Sequence, residues 1–212
     1  MLSEFPNLTS AEFHEACLAF ETRFSVHGRE QHDWVSVEAL HSFDARFLRI
    51  TKELINDTPV DPGEDEFLED DVEALETSSQ QNALMHYDIV FSPTYRVPVL
   101  YISIIDPKHR YPPTMTTLHK HLLPALFTAE TGRVGVIGGI TVTDHPATNR
   151  PAFFIHPCQT AKVMEATVGR KEISGEEFLV IWIGAMGKYV GLNIPLALVQ
   201  QDVLQIGVTQ TP

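Results

Sequence analysis

The order of sequence patterns predicts an α+β fold, in which helices pack on an antiparallel sheet. Apolar residues recur at helical spacing near both ends of the chain, and the segments between them alternate as strands do. Short turns separate the clearest strand segments, which favours antiparallel pairing because parallel strands need long crossovers. With 212 residues, of which 43% are hydrophobic, the chain is long enough for one domain with a substantial core.

The first element is an amphipathic helix over about residues 10–25. Thr9 and Glu12 have the spacing of a capping box, which marks a helix start. Cys17 lies on the apolar stripe of this helix, so we expect it to be packed in the core. A strand is predicted next, over residues 43–51.

An acidic segment at about residues 57–81 interrupts these patterns. It holds ten acidic residues between Asp57 and Glu76, together with several prolines and serines. Such a composition is typical of a solvated, flexible insertion, so we expect a single domain over residues 1–212 that carries this insertion. A second interpretation is that a weak apolar face, made by Phe67, Leu68, Val72 and Leu75, folds as a short helix on a partner.

The remaining elements follow from the same periodicities. A hairpin is indicated most clearly, by a strand over residues 87–91, a turn over 92–95 and a strand over 97–104. Further elements are a helix at about 117–127, strands near 134–143 and 152–155, and helices at 160–168 and about 175–190, the last opened by a second capping box at Ser174 and Glu177.

Composition and charge argue against several classes of protein. A formal net charge of −13 without a basic stripe argues against a nucleic-acid-binding protein. Only two cysteines are present, so we expect no disulfide framework. The start of the chain lacks the pattern of a secretory signal, and the most apolar stretch, 178–190, is too short to span a bilayer. We therefore expect a cytoplasmic protein without an integral membrane segment.

Cys158 is the residue with the clearest chemical potential. It follows an apolar strand, comes directly after Pro157, and precedes a predicted helix. The positive end of the helix dipole favours a thiolate, and His156 could add to this effect. From these residues alone two interpretations are equal: a nucleophile that carries an acyl group, or a structural cysteine at a strand end.

The run His156-Pro157-Cys158-Gln159-Thr160 resembles the active-site signature of the autophagy 10/3 family of ubiquitin-like conjugating enzymes. The hairpin over residues 87–105 and the segment over 140–146 resemble the autophagy-10 branch of that family. The short length of the chain also favours this branch, because the autophagy-3 branch carries a larger insertion. The resemblance covers residues 85–168 well.

This resemblance implies a ubiquitin-conjugating-enzyme-like domain and a transfer reaction without a cofactor. The activating enzyme, autophagy-related protein 7, would pass the C-terminal glycine of the ubiquitin-like autophagy-related protein 12 to Cys158. A lysine of autophagy-related protein 5 would then attack the thioester and form an isopeptide bond.

Three supporting residues are predicted with the nucleophile. Tyr95 matches a hairpin tyrosine that, in this family, is placed to contact the incoming lysine, although a turn aromatic packing on the sheet fits equally. Asn149 lies nine residues before Cys158, close to the spacing of the asparagine in ordinary ubiquitin-conjugating enzymes, but its surroundings depart from their His-Pro-Asn pattern. His156 fits a role in loop architecture better than one in proton transfer.

Two other functions remain possible from the sequence. A cysteine hydrolase would pair Cys158 with a histidine base, and the chain has ten histidines to offer. A non-catalytic binding module would use Cys158 only for packing. We predict no metal site, because no paired cysteine or histidine ligand spacing occurs.

Overall fold

A six-stranded antiparallel sheet forms the centre of the molecule. The computed structural model describes residues 1–42, 45–54, 82–123 and 139–199. The strand order is β1-β2-β3-β4-β6-β5, and each neighbouring pair is antiparallel. The strands are β1 Ser36–Ser42, β2 Ala45–Glu53, β3 Leu84–Ser92, β4 Val97–Ile105, β5 Ile140–Asp144 and β6 Pro151–Ile155.

Three helices of more than two turns accompany the sheet in the described part. They are α1 Ser10–His27, α2 Thr160–Val168 and α3 Gly175–Met186. Both predicted capping boxes are confirmed: the Thr9 side chain accepts the Glu12 N–H, and the Ser174 side chain accepts the Glu177 N–H. The predicted α+β class is therefore confirmed, with helices added to an antiparallel sheet.

The helices cover one face of the sheet and bury the main core against it. α1 packs on α3 and on the first two strands, and α2 contacts α3 and β4. Phe20 and Trp182 are almost completely buried there, and Cys17 is 2% exposed, as predicted for the apolar stripe of α1. From the sheet side this core receives Leu48, Ile50, Tyr87, Ile89, Leu100, Ile102, Phe153 and Ile155.

The last helix is shorter than the predicted range of about 175–190. It ends at Met186 and continues as a 3₁₀ turn over Gly187–Val190. A Cβ on Gly187 would lie 2.5 Å from the Leu192 carbonyl oxygen, so only glycine allows this close return of the chain. Gly191 then takes a left-handed conformation with φ of 74°, which ends the turn.

Other boundaries differ from the prediction in physically simple ways. The helix predicted at 117–127 begins earlier, at Met115, and Leu123 has an extended backbone before a proline. Residues 124–127 of that prediction lie outside the described residues. The strand predicted over 43–51 starts at Ala45 in the described residues, and the hairpin partner before it, β1, was not predicted as a separate strand. The acidic segment at 57–81 and the first part of the strand near 134–143 lie outside the described residues.

Within the described ranges, no helix has the length and apolar character required to cross a bilayer.

Candidate functional site

Cys158 lies where strand β6 gives way to helix α2. His156 follows the strand with an extended backbone, and Pro157 opens a 3₁₀ turn over Pro157–Gln159 that continues directly into α2. Proline suits this first position because its fixed φ matches the turn and its missing N–H has no partner to find there. Cys158 is exposed, whereas Cys17 is buried. The local sequence therefore presents this thiol at the surface.

His156 holds the backbone of the cysteine turn. Its Nδ1 accepts the Cys158 backbone N–H at 3.2 Å. Because Nδ1 accepts, the proton of the neutral imidazole lies on Nε2. Nε2 lies 3.4 Å from the Tyr95 hydroxyl oxygen, which can accept that proton's hydrogen bond. These contacts are the kind that a role in loop architecture uses, and that role of His156 stays a prediction.

Tyr95 reaches this site from the turn between β3 and β4. Its ring meets the His156 ring edge to face, with centroids 5.4 Å apart and planes at 77°. Tyr95 is 46% exposed, so this residue is accessible from solvent. Arg96, the next residue, takes φ of 56°, and its carbonyl accepts the Leu8 N–H at 2.8 Å, which ties the turn to the N-terminal segment. Two predicted supporting residues thus meet beside Cys158.

Asn149 is placed differently. It lies in the turn before β6 with φ of 51°, and its N–H is donated to the His145 carbonyl. Cys158 follows the other end of β6. Since a strand rises roughly 3.3 Å per residue, Pro151 to Ile155 alone separates them by about 13 Å. The sequence spacing that pointed to Asn149 therefore does not bring its amide to the thiol.

A buried polar network lies on the sheet face opposite the helices. Arg49 donates two hydrogen bonds of 2.7 Å to the Asp88 carboxylate, which is 2% exposed. Nε2 of His145 lies 3.1 Å from Asp88 Oδ2, although not well aligned for a hydrogen bond. Burial alone would raise the pKa of Asp88, but the contacts from Arg49 and His145 outweigh it, so the pKa is lowered.

This network holds the turn between β5 and β6 against the sheet. His145 Nδ1 accepts the Ala147 N–H at 3.1 Å, and Ala147 packs with Phe47, Val90 and Val99. Ser42 donates to the Ala147 carbonyl at 3.3 Å. Pro146, between these anchors, lines a surface groove that Tyr95 and Pro157 also line. The buried network therefore fixes one wall of a groove beside Cys158.

This network is not predicted from the sequence, although the sequence contains one signal for it. Asp88 is a charged residue in the apolar strand over residues 87–91, and an acidic residue there needs a buried partner. Antiparallel pairing of β2 with β3 supplies Arg49 directly opposite. Identifying His145 required the fold, because the turn between β5 and β6 bends back over the sheet.

The arrangement fits acyl transfer better than hydrolysis. A hydrolase base would need a histidine nitrogen directed at the Cys158 sulfur. Both His156 nitrogens have other contacts, and among the described residues no histidine makes a hydrogen bond to that sulfur. The same part of the chain contains no group of three side chains able to hold a metal ion.

A family model and several proteins are similar to this chain. The model described as "Autophagocytosis associated protein, active-site domain" matches residues 12–197. Three curated proteins named "Ubiquitin-like-conjugating enzyme ATG10" align with it. The Gibberella zeae protein is 32% identical over 56% of this chain, the human protein 28% over 60%, and the Arabidopsis thaliana protein 27% over 89%.

The share of each relative that is covered differs. The chain covers 49% of the Gibberella zeae protein, 58% of the human protein and 93% of the Arabidopsis thaliana protein. It thus spans only about half the length of the first two. A solved structure, "Crystal structure of Autophagic E2, Atg10", aligns with 88% of this chain and 99% of its own, with 13% identity and a TM-score of 0.39.

Proposed function

This chain belongs to the family of autophagocytosis-associated active-site domains, and from that premise we propose that it is a ubiquitin-like conjugating enzyme with Cys158 as its nucleophile. The predicted resemblance to the autophagy-10 branch is confirmed by the relatives that carry the ATG10 name. The observation that carries the proposal is the exposed thiol of Cys158, seated at a strand-to-helix turn with Tyr95 and His156 beside it.

The proposed reaction has two acyl transfers. In the first, the Cys158 thiolate attacks the thioester that joins autophagy-related protein 12 to autophagy-related protein 7, and the cysteine of protein 7 leaves. In the second, a lysine amine of autophagy-related protein 5 attacks the new thioester, a C–N bond forms, and the Cys158 thiolate leaves. The lysine ammonium loses one proton before the attack and a second as the amide forms; both pass to solvent, and no oxidant, metal or cofactor enters the balance.

Tyr95 and His156 act on the second transfer in this proposal. Lysine has an ordinary pKa of about 10.4, so the amine must lose a proton close to the thioester. Because His156 Nε2 faces the Tyr95 oxygen, the phenolic proton can be directed outward, towards the tetrahedral oxyanion that forms when the amine attacks. His156 keeps the Cys158 backbone in place meanwhile, and Asn149 has no part because it lies beyond β6.

The partners and setting are part of the same proposal. Autophagy-related proteins 7, 12 and 5 are the activating enzyme, the ubiquitin-like protein and the acceptor that the resemblance implies. The reaction would take place in the cytoplasm, where reducing conditions keep the Cys158 thiol free for acyl transfer.

A reconstituted charging reaction tests the proposal. The chain is mixed with proteins 7 and 12 and ATP, and the products are separated on non-reducing and reducing gels. We expect a reductant-sensitive adduct with the natural chain and with Cys17→Ala, a reductant-stable ester with Cys158→Ser, and no adduct with Cys158→Ala. The Cys17→Ala variant is the matched control, because it removes the other thiol in the chain.

Three results would contradict it in different ways. Rapid release of free protein 12 from its activating enzyme, without an adduct, would indicate hydrolysis. No adduct and no release, in a chain that still binds its partners, would indicate a binding module. An adduct on Cys17 would show that Cys158 is not the nucleophile.

A further inference from the structure

We propose that the groove beside Cys158 binds the acceptor as an extended, lysine-bearing segment with a carboxylate about six residues from the lysine. This inference rests on the proposed function and names the kind of acceptor surface that its second step would use. We call this feature the sheet groove. It has a volume of about 750 Å³ and is lined, among others, by His41, Arg46, Tyr95, Pro146, Phe154 and Pro157.

The sheet groove is continuous with the candidate active site. Tyr95 and Pro157 form its near end, and Cys158 is the next residue after Pro157. Its floor is the sheet face opposite the helices, where Val90, Val99 and Tyr101 lie under it. A segment in the sheet groove therefore has one end next to the residue that would carry the thioester.

The dimensions of the groove match a short extended peptide. It runs from β6, which leads into Pro157, across β4, β3 and β2 to β1, which carries His41. Four steps between neighbouring strands, at about 4.8 Å each, give roughly 19 Å. An extended chain covers that distance in about six residues, at roughly 3.3 Å per residue.

The charges in the sheet groove set the direction of the segment. Arg46 and His41, direct partners across β1 and β2, are both exposed at the far end. No carboxylate is among the described residues that line the groove, although the chain holds 28 acidic residues and only 15 basic ones. Arg46 would repel a lysine from the far end and attract a carboxylate there, which leaves the lysine at the Cys158 end.

The donor, autophagy-related protein 12, fits the sheet groove less well, because it has no use for the positive charge of Arg46 at the far end. Its C-terminal carboxylate is consumed in the thioester, so nothing in the transfer requires a cation some 19 Å from the sulfur. An acceptor segment, by contrast, must present one particular lysine. The groove wall at Pro146 is fixed by the contacts of His145 with Asp88 and Ala147, so the groove exists before the acceptor arrives.

Single-turnover discharge tests this assignment. Cys158 is charged with protein 12, the activating enzyme is stopped by removing ATP, and protein 5 is added. We expect Arg46→Glu to slow discharge to protein 5 about fivefold, with a smaller effect at high salt because the contact is exposed. Arg29→Glu is the matched control, since Arg29 is exposed in the turn after α1 and makes the same charge change outside the groove. Discharge to free lysine should be equal in all three proteins.

A binding measurement on the uncharged chain separates this inference from the proposed function. Two fluorescent heptapeptides are used, with lysine first and either glutamate or arginine last. We expect the natural chain and Arg29→Glu to bind the glutamate peptide more tightly, and Arg46→Glu to reverse that preference. Unchanged binding and discharge in Arg46→Glu would overturn the inference, as would slower charging by protein 7, which would indicate the donor. If the natural chain never forms a thioester, but Arg46→Glu still reverses the preference between the two peptides, the proposed function is refuted and the assignment of the groove is not.

Discussion

The two faces of the sheet are built on different physical principles. The helix-covered face is apolar and buries large side chains such as Trp182 and Tyr87. The opposite face carries the Arg49–Asp88–His145 network, a small apolar cluster around Phe47, and the sheet groove. Buried apolar area stabilises the first face, whereas directional hydrogen bonds fix the position of one turn on the second.

Neighbouring residues on one strand serve these two purposes. Tyr87 and Ile89 point into the core, and Asp88 between them points into the polar network. This division follows from the period of two in a strand. The helix-covered face therefore supplies most of the buried apolar area, whereas the buried charges of the other face set the geometry near Cys158 and make that face sensitive to the loss of a single partner.

The largest effect on stability is expected from removing Asp88. In Asp88→Ala, Arg49 and His145 keep their buried surroundings and lose the carboxylate that faces them, which costs about 3 kcal/mol of unfolding free energy. Because the pKa of Asp88 is lowered in the folded chain, this contribution is present above its ordinary pKa of 3.8 and is lost as the pH falls through the lowered value. Urea unfolding at pH 7 measures the loss.

Glu4→Ala is the control for that measurement. Glu4 pairs with Arg96 at the surface, where both side chains are at least 40% exposed. An exposed pair contributes at most about 1 kcal/mol. Equal losses in the two variants would mean that the polar network is no more than a surface ion pair, and the contrast between the two faces would fail.

The parts of the fold that could be predicted rest on signals between close residues. Thr9 with Glu12, and Ser174 with Glu177, mark helix starts because a capping box closes within one turn. The hairpin of β3 and β4 was predicted for the same reason, since its strands alternate and its turn is short. Cys158 and His156 are two residues apart, so their association needed no fold.

The parts that could not be predicted depend on contacts across the sequence. Tyr95 and His156 are 61 residues apart, and Arg49 and Asp88 are 39 apart. Only strand register brings such pairs together. Asn149 was predicted from its short distance in the sequence to Cys158. The residues between them include the whole of strand β6, which is extended and holds the two apart, whereas the ends of a flexible loop of that length could meet.

A smaller effect is expected from single hydroxyl groups on the two faces. The Tyr87 hydroxyl donates to the Val190 carbonyl at 2.9 Å, and both residues are fully buried. Tyr87→Phe leaves that carbonyl without its donor and should cost about 1–3 kcal/mol. Tyr101 lies on the other face, opposite Asp88 on the adjacent strand, and its hydroxyl makes no hydrogen bond with the described residues. Tyr101→Phe should therefore change the unfolding free energy by about 0.5 kcal/mol or less, by the same measurement.

An effect at or below the lower end of that for Tyr87→Phe is expected from the core thiol at alkaline pH. Burial, and then the nearby Glu21 carboxylate, raise the pKa of Cys17 from 9.0 to about 12. The unfolded thiol therefore ionises first, and stability falls as the pH rises above 9.0. At pH 9.5 the loss relative to pH 7.5 should be about 1 kcal/mol.

The Cys17 contribution is isolated by a difference between two proteins. Urea unfolding of Cys158→Ala and of Cys17→Ala/Cys158→Ala is compared at both pH values, so that tyrosine and lysine titrations common to both cancel. The advantage of the chain that retains Cys17 should shrink by that amount between pH 7.5 and pH 9.5. A constant difference would mean that Cys17 is ionised as readily in the folded chain as in the unfolded one. In that case the helix-covered face would not be as dry as its packing indicates, because desolvation is the main cause of the raised pKa.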